Sequence, residues 1–144
     1  MSFVVKGNAL SVPIYMELRK KVNFKEYKPT DVAHAIEHSL YSVVVFDGMK
    51  PIGIARLVGD DRICFFLKDV VVDPDYQKML IGNLLMEYID KYIASKACDG
   101  AYIGLMSTPN CIRFYEKHGF EQRPNINMGP GMIKFYNRYE EVIE

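Results

Sequence analysis

The segment richest in chemistry runs Val70-Val71-Val72-Asp73-Pro74-Asp75-Tyr76-Gln77-Lys78-Met79-Leu80-Ile81-Gly82-Asn83-Leu84-Leu85. An apolar strand stops at Asp-Pro, a short polar loop follows, and an amphipathic helix begins. A strand–loop–helix of this kind directs free backbone N–H groups and the positive end of a helix at one place, which suits a pyrophosphate. Many such units bind nothing, so the residues alone leave both readings open. Just upstream, Lys68 and Asp69 interrupt an apolar run. Asp69 is either a proton acceptor or a charge that pairs locally. Alternation along a strand sets the two side chains on opposite faces unless a bulge intervenes.

Other residues invite weaker readings. His34-Ala35-Ile36-Glu37-His38 matches H-x-x-E-H, which on a helix turns both imidazoles to one side as zinc ligands. The pattern has few fixed positions and the chain is small for a zinc peptidase, so a surface helix is the preferred reading. Cys111 is a candidate nucleophile, but a small buried hydrophobe is the better account. Phe114 and Tyr115, taken alone, are core aromatics.

These residues need elements to position them. Residues 3–6 form a short strand. Ser11 and Pro13 open a helix containing Ile14, Met16, Leu18 and Val22. Pro29-Thr30-Asp31 opens a second, with Thr30 or Asp31 as cap and Val32, Ala35 and Ile36 on its apolar face. Tyr41–Phe46, Ile52–Val58 and Ile63–Val72 are strand runs separated by tight turns at Asp47-Gly48 and Gly59-Asp60-Asp61, an antiparallel meander. From Gly82 to Ala97 the apolar positions Leu84, Leu85, Tyr88, Ile89, Tyr92 and Ile93 follow one helical stripe. A strand at Ala101–Met106, a helix from Pro109 to His118 stopped by Gly119, a strand from Phe120 and a last strand at Met132–Arg138 complete the chain. The order β-α-α-β-β-β-α-β-α-β-β predicts an α/β (α+β) fold. It has a mixed, mostly antiparallel sheet of about six to seven strands, with about four helices on both faces.

The chain has 144 residues, which predicts a single domain over 1–144. Basic and acidic residues balance at 18 each, against the basic excess expected of a nucleic-acid binder. Residues 6–28 are locally basic, with Lys6, Arg19, Lys20, Lys21, Lys25 and Lys28 against Glu17 and Glu26. This is a solvated helix face or a contact for an anionic ligand. The cysteines Cys64, Cys98 and Cys111 show no CxxC spacing and fit free thiols in a reducing cytoplasm. No signal peptide is expected from MSFVVKGNAL, whose apolar stretch is short, and no apolar run reaches membrane length.

The loop segment resembles the acetyl-CoA loop of the GNAT superfamily of N-acetyltransferases. That pattern is a hydrophobic strand, V-x-P, an aromatic, then Gln/Arg-x-x-Gly-x-Gly/Ala and a helix. Val72, Pro74, Tyr76, Gln77, Gly82 and Leu84-Leu85 match it. Leu80 replaces the first glycine, and Lys78 stands where a small residue is common. A second stretch, Ser107 to Phe120, resembles the family's later helix with its F-Y-x-K-x-G-F signature. The family's asparagine in that helix aligns with Thr108, and Asn110 is the asparagine present. The resemblance covers roughly residues 3–138.

The resemblance implies acetyl transfer from acetyl-CoA to a primary amine of a small molecule, by direct attack in a ternary complex. It implies that Val70, Val71 and Val72 line the pantetheine and acetyl group, and that Gln77, Lys78, Met79, Leu80, Ile81, Gly82 and Asn83 hold the pyrophosphate. Asn110 is a further cofactor-binding candidate. Tyr115 takes the position of the acid for the departing thiolate. Asp69 is the candidate relay for the amine's proton, because Lys68-Asp69-Val70-Val71-Val72 resembles the Glu-Asp-Val-Val-Val of glucosamine-6-phosphate acetyltransferases. No metal, nucleic acid or membrane is expected, the location is cytoplasmic, and a homodimer is possible. Candidate acceptors are arylalkylamines, polyamines and amino sugars. The alternative is a non-catalytic module of the same fold, for which Leu80 is the main support.

Overall fold

The Val-rich runs pair into one sheet. The structure, a computed structural model, describes residues 2–138, and the chain divides after Leu105 into two compact units. In the first, β1 (Phe3–Gly7), β2 (Tyr41–Asp47), β3 (Lys50–Gly59), β4 (Cys64–Val72) and β5 (Tyr102–Gly104) lie side by side in chain order. Every neighbouring pair is antiparallel except β4 and β5, which run parallel.

Helix α1 (Val12–Lys21) starts where Ser11 accepts from the Ile14 N–H at 3.4 Å, and it ends on Arg19, Lys20 and Lys21, charges that suit a helix C-terminus. Helix α2 (Pro29–Glu37) begins two residues earlier than a Thr30 cap would set it and three earlier than an Asp31 cap would. Lys28 is its cap and gives no side-chain hydrogen bond, because an ammonium has no acceptor to offer the first-turn N–H groups; Pro29 favours the start, with no N–H to satisfy and a helical φ already set. Leu10, Tyr15, Leu18 and Val32 from this side pack on Val44, Ile54 and Val71. Each such fully buried aliphatic side chain is worth about 1.5–3 kcal/mol.

Helix α3 (Ile81–Lys96) covers the opposite face. Its buried line is Ile81, Leu85, Ile89 and Ile93, with Met86 beside it. Leu84, Tyr88 and Tyr92 flank that line half-buried. The approach to the sheet is close: a Cβ at Gly53 would lie 2.7 Å from Ile81 Cγ2. No helix among the described residues is long and apolar enough to cross a membrane.

One irregularity in β4 matters for the site. Ile54 pairs with Val71 and Arg56 with Lys68, so Asp69 and Val70 together face Ala55. This is a β-bulge, and Asp69 sits in it with a φ of 59°. Asparagine and aspartate tolerate the left-handed region better than other non-glycine residues.

The second unit contains α4 (Ile112–Lys117), preceded by a single 3₁₀ turn at Pro109–Cys111. The expected stop at Gly119 is present with φ 92°. Gly119 N–H bonds to Glu116 O at 3.1 Å and Phe120 N–H to Tyr115 O at 3.2 Å, the paired bonds of a Schellman motif. The strands expected from Phe120 and over Met132–Arg138 are absent, and the sheet has five strands rather than six or seven. A strand needs a neighbour for its N–H and C=O groups, and no strand occurs among the described residues of this unit. The chain instead turns around Asn125, whose Oδ1 accepts from Asn127 and Met128 N–H, both at 2.9 Å.

Candidate active site

The end of β4 and the start of α3 set the geometry. The ladder between β4 and β5 covers only Cys64–Phe66 against Tyr102–Gly104. From Leu67 to Val72, β4 has β3 as its one strand neighbour among the described residues. Val70, Val71 and Val72 therefore lie on a stretch with no strand paired to its other edge among the described residues.

The loop after Val72 is pinned at several points. Asp73 N–H bonds to Ile52 O at 2.8 Å, and the Asp73 carboxylate accepts from Asp75 N–H at 2.9 Å and from Lys21 Nζ at 2.7 Å. Burial raises the Asp73 carboxyl, but Lys21, the Asp75 N–H and Lys50 outweigh it and leave it below the usual value. Tyr76 donates to Asp47 at 2.6 Å, a bond that raises its phenol. Gln77 Nε2 donates to Val72 O at 3.2 Å, tying the loop back to the strand.

Leu80 is the cap of α3 and holds φ 62° and ψ 21°. A negative φ there would be the ordinary way for a leucine to present its N–H, and the structure departs from that. The side chain is 70% exposed, so nothing apolar compensates for the conformation. No side chain caps α3, and its first turn has no acidic residue. The first-turn N–H groups of a helix have no intrahelical partners, so Ile81, Gly82 and Asn83 begin a helix end suited to an anion. Lys78 and Met79 are exposed in the same loop. An open strand edge leading to an uncapped helix start fits a long ligand with a pyrophosphate.

Asp69 is not on that edge but in a buried cluster. Tyr15 donates to its Oδ2 at 2.6 Å, Arg56 approaches Oδ2 through Nε and Nη2, both at 3.1 Å, and Arg19 Nε lies 3.2 Å from Oδ1. Lys68 Nζ is 3.7 Å from Oδ1. The Arg19–Oδ1 contact is an ion pair without hydrogen-bond geometry, and both atoms are buried with no hydrogen-bond partner. Arg19 Nη1 donates to Lys25 O at 2.8 Å. Its guanidinium carbon sits 5.1, 5.3 and 5.5 Å from the ring centres of Tyr15, Phe24 and Tyr27. Burial and the bond to Asp69 push the Tyr15 hydroxyl up to about 12, with Arg19 and Arg56 opposing. Tyr15 is thus locked as a donor.

The sequence analysis missed Tyr15, Arg19 and Arg56 as partners of Asp69. A signal was present: Arg56 interrupts the apolar run Ile52–Val58 as Lys68-Asp69 interrupts Ile63–Val72. Two charged breaks in neighbouring strands of a meander find each other at one register.

The second unit holds Tyr115 and Asn110. Tyr115 is buried, packs edge-on to Phe114 and Phe120 at 5.1 and 6.0 Å, and has its hydroxyl pushed up to about 12 by burial and by Cys111. Asn110 Oδ1 accepts from Thr108 Oγ1 at 3.0 Å. Cys111 is half-buried. His34 and His38 stack at 4.2 Å on an exposed turn, and no cluster of potential metal ligands occurs among the described residues.

The acetyltransferase (GNAT) domain model matches residues 38–122. An uncharacterised ycf52-like N-acetyltransferase of Prochlorococcus marinus is 30% identical over 115 residues, covering 77% of this chain and 63% of the relative. Serotonin N-acetyltransferase 2 of rice, a chloroplastic protein, is 26% identical, covering 94% of this chain and 68% of the relative. The chain thus spans roughly three-fifths to two-thirds of the length of these curated relatives. A GNAT-family acetyltransferase of Streptococcus pneumoniae superposes with a TM-score of 0.79 at 28% identity, covering 95% of this chain and 99% of that one. The matched model spans more than half of the chain, including the loop, its strand and helix, and the Tyr115 helix, and the chain belongs to the GNAT acetyltransferase family.

Proposed function

We propose that the protein is an acetyl-CoA-dependent N-acetyltransferase acting on a primary amine of a small molecule. The observation supporting this most is the open edge of β4 over Leu67–Val72 running into the uncapped start of α3. Acetyl-CoA, when bound, supplies an activated acetyl thioester. Backbone groups of Val70, Val71 and Val72 hold its extended arm, and residues Gln77 to Asn83 hold its pyrophosphate. The neutral amine attacks the acetyl carbonyl directly, so one C–N bond forms and one C–S bond breaks. Alignment of the two reactants is the main catalytic contribution of such a site.

Tyr115 gives its proton to the departing sulfur. With a phenol near 12, it stays protonated throughout the neutral range and is present as a donor. Asp69 acts as a positioning residue rather than a base. Protonating it would leave Arg19 and Arg56 without their counter-charge. The amine's proton passes to water.

Calorimetric titration with acetyl-CoA, followed by thiol release with a panel of amines, tests this reading. Micromolar binding is expected, with kcat reduced at least tenfold in Tyr115→Phe and acetyl-CoA affinity unchanged. Absence of binding would refute it. Leu80 favours a second reading, a module of this fold that no longer takes CoA. Its mark would be binding restored by Leu80→Gly and absent in the natural chain.

A further inference from the structure

Beside Asp69, a cavity of about 260 Å³ opens between α1 and the segment leading to α2. Tyr15, Arg19, Lys20, Phe24, Lys25 and Tyr27 are among its lining residues. Arg19, in that lining, shares the Asp69 carboxylate with Arg56, so the buried Arg19–Asp69–Arg56 cluster has one positive charge in excess. A buried charge is strongly disfavoured without a counter-charge. Tyr15 cannot supply one, because its hydroxyl stays protonated. Lys20 and Lys25 raise the positive balance of the cavity, and Glu26 offsets only one of them.

Arg19 itself is incompletely bound. Its Nε is buried without a hydrogen bond, although the residue is only 6% exposed. The aromatic rings of the cavity are already committed to this cation. A second cation entering there would meet Arg19, which argues against a polyamine.

We infer that the cavity takes an acceptor amine bearing an anionic group, a carboxylate or a phosphate, which pairs with Arg19 while its body lies along Tyr15, Phe24 and Tyr27. The missing negative charge then arrives with the substrate. Arg19 contacts Asp69, which adjoins Val70 in the chain, so the cavity is tied to the β4 stretch proposed to hold the acetyl group. This inference rests on the proposed function, whose acceptor it specifies.

Two matched pairs of probes test it: 5-hydroxytryptophan against serotonin, which differ by a carboxylate, and glucosamine 6-phosphate against glucosamine, which differ by a phosphate. Thiol release should favour the anionic member of at least one pair tenfold or more in kcat/KM, and which pair responds identifies the anion. Arg19→Met leaves Arg56 paired with Asp69 and should erase that preference. Should Arg19→Met fail to fold, Lys20→Ser on the cavity surface should raise KM for the anionic member two- to threefold with kcat little changed. Equal or better use of the neutral member in both pairs would overturn the inference and leave the transferase reading standing. Failure to bind acetyl-CoA would overturn the transferase reading. Calorimetry with 5-hydroxytryptophan and glucosamine 6-phosphate alone would then decide the cavity, and no binding of either at millimolar concentration would overturn it.

Discussion

Leu80 adopts the left-handed conformation at the first turn of α3, a geometry usual for glycine. For an L-residue this costs about 1–2 kcal/mol. Glycine avoids that cost but loses about 0.5–1 kcal/mol of backbone entropy relative to alanine. Leu80→Gly and Leu80→Ala remove the same exposed side chain, so its contacts cancel when the two are compared. The glycine variant should therefore be the more stable by about 0.75 kcal/mol, or about 2–3 °C in Tm. Within an ordinary helix the order is the reverse, with glycine about 1 kcal/mol worse than alanine. Urea unfolding of both variants reads the difference directly. An alanine variant as stable as the glycine variant, or more so, would refute the left-handed assignment and with it the strain at Leu80.

Asp69→Asn keeps a residue that tolerates the bulge but leaves Arg19 and Arg56 buried without a counter-charge. A loss of about 3–5 kcal/mol is expected, and denaturant unfolding would show it. Gly53→Ala drives a methyl into Ile81 Cγ2 at 2.7 Å. About 1–3 kcal/mol of stability should be lost, and acetyl-CoA binding should weaken as well, since Ile81 is the first residue of α3. Asp73 has a folded-state pKa below its unfolded value of about 3.9. Its contribution is therefore complete above pH ~4 and is lost as pH falls through the lower folded value. Lys21→Met should flatten that acid slope in unfolding free energy, leaving the curve above pH ~5 parallel to that of the natural chain.

Legibility differed with the range of the interactions. The meander was readable because Tyr41–Phe46, Ile52–Val58 and Ile63–Val72 are local runs with turn residues between them, and α3 because its stripe repeats over several turns. The end of the chain was not. Met132, Ile133, Phe135 and Tyr136 form an apolar run broken only by Lys134, yet Ile133 and Phe135 are 69% and 66% exposed. Composition gives a segment the capacity to be a strand, but a partner makes it one. The site divided in the same way. The loop residues Val72 to Asn83 are contiguous and were found by pattern. The partners of Asp69 come from α1 and β3, distant in the chain, and only the fold brings them together. Whether Asp69 and Lys68 share a face depended on one inserted residue, which alternation alone does not locate.

That inserted residue lets a single strand serve two separate interiors. Ahead of it, Leu67 stands opposite Leu57 and Phe65 opposite Gly59, on the same side as Gly53 and therefore toward α3. Past it, Asp69 and Val71 are turned toward α1. The odd-numbered positions from Phe65 to Val71 are thus all buried, while the walls they face exchange halfway. Deleting Val70 would restore a regular ladder in which Lys68 and Val71 keep their partners, and Asp69, left alone opposite Ala55, would turn to the α3 side, away from Tyr15, Arg19 and Arg56. The length of this strand is therefore constrained to the single residue, in a way that neither its composition nor its pairing partners would reveal.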